Sequence, residues 1–328
     1  MHAVYALFQP TLRHNLARAM NKPGTAPLVM KHGGAVAAWS DPATWGGRLP
    51  AAGDSVIIPP GRRVLLDVSP PALKSLQVDG LLIFDDADLN LSAGWISVGG
   101  EFRIGAPGRP FTRQAVITLT GSAPGDDLPR LGTKYLAADG GLIDLHGEWR
   151  DTRVKLAASA EPGASEILLA RLPGWRPGER LLLGAADLAP QDAEVREITA
   201  VNRNLIALNQ PLSQGYWGGL QTRAGRPVDQ RAEARLLSRN IRLQGEARPG
   251  DPLGGCLLIL PGGRARLSGV EISGFGQPGR EPIHLHPDAG ADAVRLAGCS
   301  LHHNIRNGAS RLWPDRRVLQ QNVVYDWR

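Results

Sequence analysis

A five-residue unit, apolar-x-apolar-x-Gly, recurs along nearly the whole chain and constrains its fold more than any other feature. It appears as LQVDG (Leu76 to Gly80), ISVGG (Ile96 to Gly100), ITLTG (Ile117 to Gly121), IDLHG (Ile143 to Gly147), IRLQG (Ile241 to Gly245) and VEISG (Val270 to Gly274). Alternation at period two describes a short strand with one buried face, and the closing glycine permits a turn with positive φ. Leu76-Val78-Gly80-Leu82-Phe84 matches Ile96-Val98-Gly100-Phe102-Ile104 at an offset of twenty residues, about the length of one coil of a parallel β-helix. The pattern predicts a chain wound coil upon coil. Val78, Val98 and Leu119 then share one core, with Gln77, Ser97 and Thr118 outside it.

Composition bears on this in two ways. A chain of 328 residues exceeds what one ordinary core serves, but a solenoid core grows along one axis and relaxes that limit. Aromatic residues are only 5%, against 40 Gly and 26 Pro, which suits tight corners and an all-β fold. Lys and Arg exceed Asp and Glu by 37 to 31, and the pI is near 9.7. This mild basic excess favours a polyanionic ligand, and no nucleic-acid partner is assigned. Cys256 and Cys299 sit in the apolar contexts GCLLIL and AGCSLH and read as small buried hydrophobes. No run reaches the ~18 apolar residues that span a bilayer, and the opening residues lack the apolar core and cleavage site of an export signal.

Four segments follow. Residues 1–36 read as a poorly ordered leader, and residues 37–150 as a first β domain with its following coil. Over residues 151–227 the coil pattern lapses, and EILLARL, RLLLG, EVREITAV and LIALNQPL alternate with Pro-Gly and Asn turns. That stretch predicts a small antiparallel barrel inserted between coils. Over residues 228–328 the coils return as SRNIRLQG, LSGVEISG, LAGCSLHH and LQQNVVYD. Asn240 and Asn322 precede their strands at equivalent places, where stacked Asn side chains hydrogen-bond along a solenoid.

The run Trp39, Pro42, Trp45, Pro50, Gly53-Asp54, Val56, Gly61, Val64 and Asp67, then LQVDGLLIF, ISVGGEFRIG, Pro110-Phe111 and ITLTG, resembles the eight-glycine (G8) domain family. That family includes the cell migration-inducing hyaluronan-binding protein, transmembrane protein 2 and fibrocystin. Downstream, KYLAADGGLIDLHGEW, PGWRPGERLLL, VDQRAEARLLSRNIRLQG, GFGQPGREPIHLHPDAG and NVVYD resemble the segments that follow the domain in the hyaluronan-binding and transmembrane members. The resemblance implies an N-terminal eight-glycine domain on a right-handed parallel β-helix and an extracellular or cell-surface setting. It also implies an acidic polysaccharide partner of the hyaluronan type, with calcium dependence and endo-acting depolymerisation in the active members. Those members continue into many more coils, so recognition is implied more firmly than turnover. Self-association or further C-terminal coils are expected beyond NVVYDWR, which offers no cap. A non-catalytic cell-surface adhesion or scaffold module is the alternative.

The same alternation locates chemistry. Burying Ile143 and Leu145 turns Asp144 and His146 outward, and burying Ile283 and Leu285 turns His284 and His286 outward, with Asp288 just after the strand. LAGCSLHHN adds His302 and Asn304 one coil later. With coils ~4.8 Å apart, side chains on successive coils can converge. Three chemistries compete: a carboxylate pair with His hydrolysing a glycosidic bond, a base with Arg280 eliminating across a uronic acid, and a metal at His-x-His. The candidates are Asp144, His146, His284 and His286 as catalytic groups and Arg280, His302 and Asn304 on substrate. Asp288 and Asp292 offer oxygen ligands of the kind that the calcium implied by the resemblance would take. A solvated outer face accounts for the same histidines without chemistry.

Overall fold

The computed structural model describes residues 27–30, 35–121, 133–184, 193–246, 253–277, 280–290, 292–304 and 319–327. The described chain winds around three parallel sheets. The first stacks Leu28–Val29, Ser55–Ile58, Ser75–Val78, Ile96–Val98, Tyr135–Ala138, Cys256–Ile259 and Ile283–Leu285. The second stacks Ala37–Ala38, Arg63–Leu66, Leu81–Phe84, Glu101–Ile104, Leu142–His146, Arg264–Ser268, Val294–Ala297 and Leu319–Gln320. The third stacks Leu89–Ala93, Ala115–Leu119, Ile241–Gly245, Val270–Ser273, Ser300–Asn304 and Val323–Trp327. Among the described residues the first two coils enter only the first and second sheets, and from Ser75 to Asn304 each coil visits the three sheets in that order, which is a parallel β-helix.

The twenty-residue offset is the stacking register: Leu76 pairs with Ile96, Val78 with Val98 and Leu82 with Phe102. Inward residues form one apolar column that includes Val78, Val98, Leu119, Ile143, Leu145, Leu243 and Ile272. Burying each such side chain contributes ~1.5–3 kcal/mol. Phe84 and Phe102 meet edge-to-face across adjacent coils at 5.7 Å. Ser97 departs from expectation, because its position is outward yet it is buried.

The repeating glycines act chiefly through close approach. Of the six that end the units, only Gly274 has a positive φ. A Cβ on Gly100 would fall 2.0 Å from the Gly80 carbonyl oxygen, and one on Gly141 2.4 Å from that of Gly100. At this corner the backbone of one coil rests on the next, leaving no room for a side chain.

The leader ends earlier than position 36, since Leu28–Val29 pairs with Val56 and Ile57 in the first coil; residues 1–26 lie outside the described residues. The inserted unit is an antiparallel sheet in the order Arg153–Lys155, Glu233–Leu236, Arg180–Gly184, Glu194–Asn202, Leu205–Leu208, Glu166–Leu168. A Leu156–Leu169 bridge joins its outer strands and closes a barrel around Leu156, Ile167, Leu183, Ile198 and Leu236. Its strand Glu233–Leu236 lies beyond the expected boundary at 227, so the coils resume at Ile241. The two asparagines bind backbone rather than each other. Asn240 Nδ2 donates to the Phe111 and Arg113 carbonyls while its Oδ1 accepts from Glu148 N–H. Asn322 does the same with Cys299 N–H and the Leu296 carbonyl. Cys256 and Cys299 are buried free thiols, which burial pushes up to about 12 and about 11.

Candidate functional site

The residues singled out from the sequence fall on all three sheets rather than in one cluster. Asp144 and His146 alternate with buried Ile143 and Leu145 on the second sheet, and His146 Nε2 lies 2.9 Å from Asp144 Oδ1. Asp144 is outward as expected but only 8% exposed. The register places it between Arg103 and Arg266, with Arg295 on the coil beyond Arg266. Arg103 pairs with Glu101 through Nη2 at 2.6 Å, and its buried Nε has no hydrogen-bond partner. Arg63, Arg264, Arg266 and Arg295 are exposed on the same face. The result is a column in which Arg103, Asp144, Arg266 and Arg295 follow one another coil by coil at ~4.8 Å, with the His146 imidazole beside Asp144.

Arg280, His284, His286 and Asp288 lie elsewhere. Ile283–Leu285 belongs to the first sheet and pairs with Leu257, Leu258 and Ile259. His284 therefore sits two coils beyond the Asp144 coil and around a corner from it. It is outward and half-buried. Burial first, then Arg280 and His286, hold its imidazole below the usual histidine range, favouring the neutral ring. His286 follows the strand and is buried, contrary to the solvent-facing expectation. Its Nδ1 accepts the Asp288 N–H at 3.1 Å and lies 3.6 Å from Asp288 Oδ2, so it organises the corner. Asp288 and Asp292 are exposed. No group of three or more His, Cys, Asp or Glu that could hold a metal occurs among the described residues.

His302 and Asn304 are 0% and 1% exposed, which corrects their reading as surface contacts. His302 occupies an outward position on the third sheet, but the inserted barrel covers that face. Its Nε2 lies 3.2 Å from Glu271 Oε1, which also accepts Arg180 Nη2 at 2.7 Å, while Glu271 Oε2 accepts Arg239 N–H at 3.0 Å. Ser300 Oγ donates to the Leu237 carbonyl. Asn304 Oδ1 accepts Phe275 N–H at 2.9 Å and so closes a corner. These groups fasten the barrel to the β-helix.

Sequence reasoning missed Glu271 and the arginine ladder. Both were signalled by the alternation that exposed Asp144: Glu271 lies between Val270 and Ile272, Arg103 between Phe102 and Ile104, Arg266 between Ala265 and Leu267, and Arg295 between Val294 and Leu296.

Comparison with known proteins now places the chain. The G8 domain model matches residues 44–157. Human fibrocystin-L is 30% identical over 344 aligned residues, covering 89% of this chain and 8% of fibrocystin-L. Communication mutant protein F of Dictyostelium discoideum is 25% identical over 307 residues, covering 88% of this chain and 27% of that protein. A human protein named cell surface hyaluronidase is 26% identical over 167 residues, covering 43% of this chain and 12% of its own length. The tailspike of Pseudomonas phage phi297 aligns with a TM-score of 0.25 at 12% identity, over 72% of this chain and 32% of the tailspike. The chain spans about 8% of the length of the fibrocystin-L proteins it matches, and among the described residues no helix is long and apolar enough to cross a membrane. On these matches the chain carries a G8 domain over residues 44–157 and resembles the G8-domain family along most of its length.

Proposed function

We propose that the chain binds an acidic polysaccharide of the hyaluronan type along the outer face of the second sheet, in an extracellular or cell-surface setting. The observation that carries this reading is the column of Arg103, half-buried, and Arg266 and Arg295, exposed, on the coils around Asp144. A polyanion presents charge repeatedly along one axis, as this ladder does, and forked guanidinium groups match carboxylates. The partial similarity to a cell surface hyaluronidase is consistent with it. Asp144 and Glu101 face outward on adjacent coils two residues out of register, which sets their backbones ~8 Å apart. Chain cleavage is a second activity proposed for the same face, with Asp144 and Glu101 as the carboxylates that would flank the bound polymer.

The test is a pull-down with hyaluronan and chondroitin beside polymer sizing by gel electrophoresis, with and without calcium. Arg266→Ala and Arg295→Ala are expected to lower affinity several-fold each, and binding by the native chain is expected to weaken as salt rises, since exposed charges are screened over ~8 Å at physiological ionic strength. Shortening abolished by Asp144→Asn with binding retained would assign cleavage to this face. Binding without shortening would favour an adhesion role. Failure to bind any acidic glycan would remove the reading.

A further inference from the structure

The outer face of the inserted barrel carries a second basic site, far in sequence from most of the ladder. Arg153–Lys155 pairs antiparallel with Glu233–Leu236, setting Arg153 opposite Arg235 and Lys155 opposite Glu233. Val154 and Ala234 point into the barrel core, so these four charged side chains share the outer face. Like charges directly opposite each other destabilise a strand pair; Glu233 engages Arg235, while Arg153 has no such partner among the described residues. A groove of about 510 Å³ opens there, lined among others by Arg153, Lys155, Arg171, Arg231 and Glu233.

Carboxylates fix three of these cations from the flanks. Arg171 grips both oxygens of Asp151. Arg231 brackets Asp229 through Nε at 2.8 Å and Nη2 at 3.0 Å, and Lys155 Nζ lies 2.9 Å from Asp229 Oδ2. Arg171 thereby commits only two of its five donors. The Arg153 side chain is exposed and makes no hydrogen bond or ion pair among the described residues. Glu233, the one acid in the lining, is itself engaged by Arg235 Nε at 3.3 Å.

We infer that this groove binds a tetrahedral oxyanion, the chemistry shared by a sulfated sugar and a phosphorylated one. A planar carboxylate is satisfied by one guanidinium fork, whereas a tetrahedral oxyanion accepts from several cations arriving from different directions, as Arg153 and Lys155 from one strand and Arg171 and Arg231 from flanking segments do here. The inference stands apart from the second-sheet reading, because an unsulfated polymer could bind the ladder and leave this groove empty.

Isothermal titration of the full chain at constant ionic strength with N-acetylglucosamine, its 6-sulfate and its 6-phosphate tests it. At least one of the two esters is expected to bind tenfold or more tightly than the parent sugar, and the tighter ester identifies the source. Arg153→Ala is expected to weaken that binding at least fivefold while Arg266→Ala leaves it unchanged. In the native chain the amide resonances of Arg153 to Lys155 should shift on titration, a readout that stands even where a variant folds poorly. Equal binding of parent and esters, loss by Arg266→Ala instead of Arg153→Ala, or resonance shifts confined to residues outside the barrel would each overturn the assignment.

Discussion

Replacing Glu271 with alanine is expected to loosen the barrel from the β-helix and to cost ~3 kcal/mol. The carboxylate is 1% exposed, accepts from Arg180 and the Arg239 N–H, and has His302 Nε2 at 3.2 Å. Burial alone would raise its pKa, yet His302, Arg180 and the Arg239 N–H hold it below the usual carboxylate range. Its loss removes one of the charges that compensate Arg239, whose buried guanidinium burial pushes down to about 10 and whose Nη2 has no hydrogen-bond partner. Breaking one side of a buried pair costs ~3–5 kcal/mol. The Arg180 side chain is 39% exposed, so solvent screens its share and the lower end applies. Glu271→Gln keeps the shape and an acceptor and should cost ~1–2 kcal/mol. A carboxylate with a depressed folded-state pKa contributes stability above its unfolded pKa and loses it as pH falls through the folded one. The gap between native chain and Glu271→Gln should therefore shrink between pH 7 and pH 3. Urea unfolding followed by circular dichroism measures both quantities. An alanine variant within ~0.5 kcal/mol of the native chain, or a gap that does not shrink on acidification, would refute the argument.

Val78→Asp and Val98→Asp should each cost several kcal/mol by burying an unpaired charge, while Gln77→Asp and Thr118→Asp stay within ~0.5 kcal/mol; equal sensitivity of Gln77 and Val78 in thermal melts would reject the alternation. Ser97, buried though outward, should behave with the core. Asn240→Ala removes three hydrogen bonds and should cost ~3 kcal/mol at ~1 kcal/mol each, measured by urea unfolding. His284, held low first by burial and then by Arg280 and His286, should titrate below ~6.5 by NMR. Any stability that its neutrality provides is full above that value and lost as pH falls through the folded-state pKa. A midpoint at or above it would contradict the placement.

Strand faces were legible because period two is local: whichever sheet a strand joins, Ile143 and Leu145 must go in and Asp144 must go out. Sheet membership was not legible. ISVGG lies on the first sheet, IDLHG on the second and ITLTG on the third, so one motif encodes a strand and its corner but not which side of the solenoid it occupies. That missing information separates His284 from Asp144. His302 shows a second limit. Its outward position follows from Leu301, but its neighbours Glu271 and Ser300 are tied to Arg180 and Leu237 from the inserted segment, contacts that no local window contains.

The barrel interrupts a single coil, between Leu142–His146 on the second sheet and Ile241–Gly245 on the third. Closing that coil in an otherwise unfolded chain means tethering the ends of a loop of ~90 residues. Once the barrel has formed, only ~10 residues outside it remain to be closed, and the entropic cost falls by ~2 kcal/mol on (3/2)RT ln n scaling. In kinetic terms the insertion acts as a splint. The coils after Ile241 are expected to assemble only after the barrel has closed, so a barrel lesion such as Leu183→Ala should slow formation of the Leu243–Ile272 rungs while sparing those between Val56 and Phe102.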